Sequence, residues 1–296
     1  MRQYSADQAA RIARPAPWRM ILCLMAAALG QVVAVVALFG LVAGLGLAGG
    51  DIDAIMALES PASILIFLTT FLGPVLALLL AVRLLHGLRF RDLLGAGGRV
   101  RWRQMGVAIL VVGAIAAFGS LLALATGGLE RNLPLSAWVV YLVPAVAVIL
   151  LQVTAEELVF RGYLQPALAA RFSSPLIWLI LPSLLFGMLH WQPDKFGANA
   201  WLVVLATTLM GIVFGHVTAV TGNVSAAIGV HFANNCTGLL FVATKGELSS
   251  LSLWLNPVEL SDIPATRASL IGNMVLIAIA FAVWLAYARR RARRLQ

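Results

Sequence analysis

Charged residues are scarce in this 296-residue sequence. Asp, Glu, Lys and Arg make up 11% of it and hydrophobic residues 61%, whereas about a quarter of a typical soluble domain is charged. This composition excludes an ordinary soluble protein and makes a lipid bilayer the expected solvent. The formal net charge of +9 does not indicate nucleic-acid binding, because the basic residues form short clusters beside long apolar runs.

Cysteine and lysine are also rare. Cys23 and Cys236 both lie in apolar stretches, which gives neither a disulfide framework nor metal-ligand spacing. Lysine occurs only at Lys195 and Lys245, so arginine supplies most of the positive charge. This bias suggests a GC-rich bacterial genome, and it predicts a multi-pass protein of the bacterial inner membrane.

Eight apolar runs reach about the 20 residues needed to cross a bilayer. They occupy residues 20–48, 62–85, 105–125, 136–160, 175–192, 200–220, 225–244 and 268–288. The first is longer than the ~7–15-residue apolar core of a signal peptide and is interpreted as a retained span. We therefore predict an all-α polytopic membrane protein in which residues 1–296 form a single membrane domain. Residues 136–244 would be a catalytic-type core, with flanking helices in 20–125 and 268–288.

Arginine clusters set the predicted orientation, because Lys and Arg collect on the cytoplasmic side of membranes. The clusters are Arg2, Arg11, Arg14 and Arg19, then segments 83–103 and 161–171, and the tail 289–294. The alternate segments are neutral or acidic. Both termini are therefore expected to face the cytoplasm, whereas the turn at 221–223 carries no charge that assigns it to either side.

Ionisable side chains inside apolar helices cost about 2.5–3.5 kcal/mol each, so they call for a pairing or a functional explanation. The first such group is Glu156-Glu157, followed by Arg161, at the end of a long apolar run. Glu157 and Arg161 are spaced i, i+4 and can form an ion pair within a helix. Glu156 points about 100° away and has no partner nearby in the sequence. It is either an interfacial residue solvated by headgroups or a functional carboxylate.

Two further polar groups lie downstream. His190 closes an apolar run that contains Pro182, and taken alone it is more typical of a structural or interfacial histidine. His231 and Asn235 share one helix face at i, i+4. They can converge on one ligand atom, or they can make hydrogen bonds between helices.

Together these residues provide the groups for peptide hydrolysis by water, without a nucleophilic side chain. A carboxylate in a dry site can take a proton from water, while His and Asn donors can stabilise the oxyanion at the scissile carbonyl. Periodicity does not establish that the three helices meet. Counting along alternating spans places Glu156 and His231 towards the cytoplasmic side and His190 nearer the opposite side.

The order and spacing of the three groups resemble a known family signature. The matching patterns are Glu156-Glu157-x-x-x-Arg161, Phe186-x-x-x-His190 and His231-x-x-x-Asn235, with Phe160-Arg161-Gly162-Tyr163-Leu164 and Gly222-Asn223-Val224 beside them. They resemble the bacterial branch of the CPBP family, the CAAX-protease and bacteriocin-processing membrane proteins. The resemblance covers residues 150–240.

That resemblance implies an eight-helix, glutamate-dependent intramembrane endopeptidase. The implied functional residues are Glu156, which activates water, His190, which assists it, His231 and Asn235, which form the oxyanion site, and the structural pair Glu157 and Arg161. The implied partners are membrane lipids and a peptide or lipidated protein substrate, with no nucleic acid. No cofactor is expected to be required.

Three alternatives remain open. Zinc is the competing cofactor, with Glu156, His190 and His231 as candidate ligands, because two His and one Glu can form a catalytic zinc site; the sequence has no HExxH motif. The chain could instead be a non-catalytic scaffold or a bacteriocin-immunity-type protein whose polar cluster holds helices together. A proton-coupled transporter would also use intramembrane Glu and His, but no repeat symmetry between the two halves supports it.

Overall fold

The computed structural model describes residues 16–46, 52–246 and 248–293. These residues are largely helical, as predicted. The helices are α1 (Pro17–Gly44), α2 (Ile52–Met56), α3 (Pro61–Thr69), α4 (Leu72–His86), α5 (Phe90–Leu93), α6 (Trp102–Ala125), α7 (Leu135–Ala169), α8 (Leu176–Met188), α9 (Pro193–Phe196), α10 (Ala200–Thr221), α11 (Ser225–Cys236) and α12 (Ile263–Arg293). The predicted N-terminal arginines up to Arg14, and Arg294 of the tail, lie outside the described residues.

Six helical runs of the described residues are long and apolar enough to cross a membrane. They are α1, α3 with α4, α6, α7, α9 with α10, and the first part of α12. The predicted spans at 175–192 and 225–244 correspond to shorter helices, α8 and α11. A multi-pass helical membrane protein is thus confirmed. The count of eight spans, the single-domain organisation and the cytoplasmic termini remain predictions.

The helices that carry the polar motifs depart from regular α geometry. α7 contains Pro144 and a π-helical segment, Leu158–Leu164. α8 opens with a π-helical turn, Leu176–Ile180, and α11 runs into another, Thr237–Phe241. Such segments disturb the regular hydrogen-bond ladder and are frequent at functional sites. In the described part of the chain they occur only on these three helices.

A three-stranded sheet, not predicted from the sequence, closes one end of the molecule. Its strands are β1 (Glu130–Arg131), β2 (Val242–Thr244) and β3 (Trp254–Asn256), with β3 central, antiparallel to β1 and parallel to β2. Lys245 Nζ, just after β2, lies 3.0 Å from a Glu130 carboxylate oxygen and 3.2 Å from one of Glu259. Hydrogen bonds to Glu130 and then Glu259 raise the pKa of Lys245 above its ordinary value. Segments predicted to lie on the non-cytoplasmic side therefore meet here.

The uncharged turn at residues 221–223 lies at the other end, beside the arginine-rich segment 83–103. Arg101 Nη1 donates to the Thr221 carbonyl at 2.9 Å, and Asn223 Nδ2 donates to the Arg99 carbonyl at 3.1 Å. Gly222 ends α10 in the left-handed region, with φ 69°, where glycine is least strained. These contacts assign the turn to the same end as the arginines.

Three apolar clusters fill the interior of the described structure. The largest lies between α1, α3, α4, α7 and α11. The smallest consists of Phe39, Val42 and Ile55 from α1 and α2. The second includes Phe160, Phe186 and Phe214 from α7, α8 and α10. This second cluster surrounds the charged residues of the motifs and positions them.

Candidate active site

Glu157 is the centre of a fully buried ion pair. Its side chain has no exposed surface, and Arg161 Nη1 donates to its Oε1 at 2.8 Å. The second terminal nitrogen of Arg161 donates to the Gly211 carbonyl on α10 at 3.1 Å. The pair expected from the i, i+4 spacing is therefore present, and it also ties α7 to α10.

Three aromatic rings surround the Arg161 guanidinium. Its carbon lies 4.8 Å from the centroid of Phe186, 5.1 Å from Phe214 and 5.6 Å from Phe160. Ring faces attract a cation, most strongly away from water. Arg161 is therefore held charged in an apolar setting by Glu157 on one side and by aromatic rings on the others.

His231 binds the same oxygen of Glu157. Its Nδ1 lies 2.9 Å from Glu157 Oε1, and its ring stacks on Phe214 at a centroid distance of 4.7 Å. Because Arg161 already donates to that oxygen, Oε1 is an acceptor and His231 Nδ1 carries the proton. The ring is thereby fixed with its Nε2 towards the remaining carboxylate.

That carboxylate is Glu156, whose Oε2 lies 3.6 Å from His231 Nε2. The Glu156 side chain is 16% exposed, yet its Oε2 is out of solvent and has no hydrogen-bond partner in the described structure. α7 continues for twelve residues beyond Glu157, about 18 Å at 1.5 Å per residue. Glu156 is therefore well inside the helix, which disfavours the interfacial interpretation.

Asn235 lies one turn beyond His231 and contacts α7 one turn before Glu156. Its Nδ2 donates to Gln152 Oε1 at 2.9 Å, and its Oδ1 accepts from Asn234 Nδ2 at 3.1 Å. In this arrangement the Asn235 amide donates to α7 and accepts from its neighbour in the chain. The NH₂ group has two hydrogens, so one remains to bind a further acceptor.

His190 reaches the cluster through Phe186. Its Nδ1 lies 3.0 Å from the Phe186 carbonyl, and the Phe186 ring is 5.1 Å from His190 and 5.9 Å from His231, centroid to centroid. A carbonyl only accepts, so Nδ1 carries the proton and Nε2 is the free nitrogen. α8 is short, with about 20 Å of rise, and its Phe186 ring contacts the rings of both His190 and His231.

A close approach of α8 and α10 holds this arrangement. A Cβ at Gly187 would lie 2.6 Å from the Val204 carbonyl and would also overlap Thr208 Oγ1. A Cβ at Gly211 would lie 3.2 Å from Arg161 Nη2. Glycine at these positions lets the backbones approach, which is how small residues act at helix interfaces in membranes.

The candidate zinc ligands do not form a metal site as they stand. In the described part of the chain, no group of three or more His, Cys, Asp or Glu side chains has a suitable arrangement. His231 Nδ1 is bound to Glu157, which leaves only its Nε2 and Glu156 facing one another. Whether the chain works without a metal therefore stays a prediction.

Two residues of the site were not expected from the sequence. Gln152 is buried at 7% exposure and bonded to Asn235; its signal was its position one helical turn before Glu156 in an otherwise apolar run. Phe214 stacks on His231, but a phenylalanine in an apolar helix gives no sign of such a role.

Comparison with known proteins agrees with the resemblance found in the sequence. Residues 136–237 match the family model described as type II CAAX prenyl endopeptidase Rce1-like. The chain is also 28% identical over 180 residues to YyaK of Bacillus subtilis (strain 168), an uncharacterized protein. That alignment covers 57% of this chain and 58% of YyaK, and no solved structure matches. The matched region, residues 136–237, holds all six motif residues.

Proposed function

We propose that this chain is a glutamate-dependent intramembrane endopeptidase that cleaves a membrane-associated or lipidated peptide with activated water. The observation that carries the proposal is the position of Glu156 Oε2, which is out of solvent, has no hydrogen bond among the described residues and lies 3.6 Å from His231 Nε2. An unsatisfied carboxylate oxygen in such a place is costly. It is explained by a water and a substrate that enter during the reaction. The setting proposed is the bacterial inner membrane.

In this mechanism Glu156 removes a proton from water, and the hydroxide attacks the carbonyl carbon of the scissile peptide bond. His190, whose Nε2 is free, helps to orient the water. The proton on Glu156 then passes to the leaving amide nitrogen as the C–N bond breaks. The products are a carboxylate and an amine, and Glu156 returns to its ionised form.

The oxyanion that forms on the carbonyl is stabilised by donors on α11. Asn235 offers the second hydrogen of its Nδ2, whose orientation Gln152 fixes. His231 can donate from Nε2 only when both of its ring nitrogens are protonated. Glu157 and Arg161 hold His231 in place.

The decisive experiment compares the purified full chain with Glu156→Gln. Wild-type protein in detergent is offered quenched fluorescent peptides, including farnesylated peptides that end in a CAAX sequence. We expect cleavage by the wild type and loss of at least about a thousandfold in kcat for Glu156→Gln, because removal of a principal catalytic group has effects of this order. Thermal unfolding of the variant should stay close to wild type.

A matched control is Glu130→Gln, which removes an exposed carboxylate on β1 far along the chain from the motifs. It should leave cleavage unchanged. Full activity of Glu156→Gln would disprove the assignment of the base. A zinc chelator is added in a parallel assay: survival of cleavage supports the metal-free mechanism, and loss of cleavage that zinc restores assigns the histidines to a metal.

A non-catalytic scaffold is the second candidate, favoured by the bonds that join α7, α10 and α11 through Glu157, Arg161 and His231. In this case Glu156 would be one more structural residue. Glu156→Gln would then lower the unfolding temperature substantially, and no peptide of the set would be cleaved by the wild type.

A further inference from the structure

A small cavity lies beside the arginine-rich ends of α1, α4 and α7. Its volume is about 130 Å³, and its walls include Met20, Tyr163, Leu168 and Phe172. None of the six motif residues lines it. The walls are almost entirely apolar, so the cavity suits a hydrocarbon chain better than water.

Cationic and donor groups border this cavity. His86 and Arg171 are among the residues that line it. The Nε2 of His86 bonds to the Tyr163 hydroxyl at 3.0 Å, but its Nδ1 is shielded from solvent and has no hydrogen-bond partner. Arg19 is adjacent in the chain to the lining residue Met20. The Nε and Nη1 of Arg19 are also shielded from solvent and have no hydrogen-bond partner. The positive charge of Arg19 interacts electrostatically with the His86 ring.

Among the described residues, neither Arg19 nor His86 has an anionic partner. The ion pairs formed among the described residues involve neither side chain. Leaving such donors unsatisfied away from water costs about 1–3 kcal/mol each, and more for a charged group. An anion here would satisfy the donors of Arg19, and a hydrocarbon chain would cover the apolar walls beside them.

The position of the cavity indicates where such a ligand would come from. It lies at the end of the molecule that carries the arginines of segments 83–103 and 161–171, predicted to be cytoplasmic. Anionic lipids give the cytoplasmic leaflet its negative surface potential and attract basic residues there. A phospholipid supplies in one molecule the phosphate for the donors and the hydrocarbon for the walls.

We infer that this cavity binds an anionic phospholipid of the cytoplasmic leaflet. Its phosphate oxygens accept hydrogen bonds from Arg19, while one acyl chain enters between Met20, Leu168 and Phe172. Inorganic phosphate would satisfy the donors and leave the walls unfilled. A zwitterionic lipid would fill the walls but bring a cationic group towards Arg19. The bound lipid joins α1 and α4 to α7, the helix that carries Glu156.

Binding is tested on the purified full chain in a neutral detergent by titration with phosphatidylglycerol. A ligand that binds only the folded state raises the unfolding temperature in proportion to its affinity and concentration. We expect a saturable rise with phosphatidylglycerol and none with phosphatidylcholine of the same acyl chains or with inorganic phosphate. An equal rise with phosphatidylcholine, or a full rise with phosphate alone, would overturn the inference.

Two kinds of variant locate the site. Arg19→Gln with His86→Gln removes the Arg19 donors and the imidazole beside them, and Ala167→Leu narrows the cavity while Arg19 stays. Each should weaken phosphatidylglycerol binding at least about tenfold. Arg103→Gln, which removes an exposed arginine of α6, should leave binding unchanged. If the double variant does not fold, the inference is tested by phosphatidylglycerol binding to Ala167→Leu and by the comparison of phosphatidylglycerol with phosphatidylcholine on the wild type. Wild-type affinity in Ala167→Leu and in the double variant would refute the site.

Discussion

α6 and α10 are both apolar helices long enough to belong to a membrane span, and both pack against α11, yet they occupy opposite environments. α6 has no buried residue along its 24 residues, whereas ten of the 22 residues of α10 are buried. α6 and α11 approach closely at Gly229 of α11, where a Cβ would lie 2.5 Å from the Met105 carbonyl of α6. α10 accepts the Arg161 guanidinium at Gly211 and stacks Phe214 on His231.

This difference shows that hydropathy alone does not tell an outer helix from an inner one. Both helices contain glycine, but a Cβ at Gly113 of α6 would meet nothing within 4 Å, whereas one at Gly215 of α10 would lie 2.6 Å from Leu179 Cδ1. Inner glycines are contact points, and outer glycines are only flexible positions in a helix. Substitutions at matched positions of the two environments should therefore have opposite or very unequal effects.

The largest expected difference concerns arginine. Arg161→Leu leaves Glu157 buried without its cation, and breaking a buried pair in this way costs about 3–5 kcal/mol. Arg103→Leu, on the exposed surface of α6, should change stability by less than about 0.5 kcal/mol. Thermal unfolding in detergent measures both.

The double variant Arg161→Leu with Glu157→Leu sharpens this test. Replacing both members of a buried pair by apolar residues is often close to neutral, so part of the lost stability should return. An unfolding temperature for Arg161→Leu equal to that of the wild type would mean that the ion pair does not hold the inner helices.

A smaller contrast is expected between two glycines. Gly187→Ala places a methyl group against the Val204 carbonyl of α10, and overpacking of this kind costs about 1–3 kcal/mol. Gly113→Ala on α6 meets no neighbour and should gain up to about 1 kcal/mol from helix propensity. Unfolding temperatures that shift in opposite directions are the expected result. Equal shifts would contradict the assignment of α8 and α10 to a tight interface.

A third contrast depends on the proposed protease activity. Gln152→Leu removes the acceptor that orients Asn235 and should lower kcat about tenfold, equivalent to about 1.4 kcal/mol, with KM nearly unchanged. Ser120→Ala on α6 removes a hydroxyl that bonds only to its own helix, at the Ala116 carbonyl, and should change neither constant. A parallel loss of stability without a change in kcat would make Gln152 a packing residue instead.

Which contacts the sequence could predict depends on how far apart the two residues are along the chain. The bond between Glu157 and Arg161 depends on i, i+4 spacing within one helix, so the pattern was sufficient. The bond between His231 and Glu157 crosses 74 positions of the chain and depends on how α7 and α11 pack. Nothing in either segment alone specifies that packing.

Helix ends were predicted less well than helix existence. The run at 175–192 was read as a full span because its apolar residues continue past Met188, where α8 ends. Beyond the predicted span 136–160, α7 continues to Ala169 through a π-helical segment that has no sequence signature. Hydropathy does not give these helix ends, and it does not show that Phe186 contacts both His190 and His231.

The smallest expected effect on stability concerns Lys245, whose ion pairs with Glu130 and Glu259 are exposed to water. Exposed pairs contribute little and are screened by salt, so Lys245→Gln should lower the unfolding temperature far less than Arg161→Leu.

The folded-state pKa of Lys245 is raised, so its contribution is complete below the ordinary lysine value of about 10.4 and is lost as pH rises through the folded pKa. The difference between wild type and Lys245→Gln should therefore be constant from about pH 7 to 9 and vanish at higher pH. Lys245→Arg stays charged at that pH, so its unfolding temperature should remain above that of Lys245→Gln. If the wild type also remained above Lys245→Gln at that pH, the ion pairs would not be the cause of the difference.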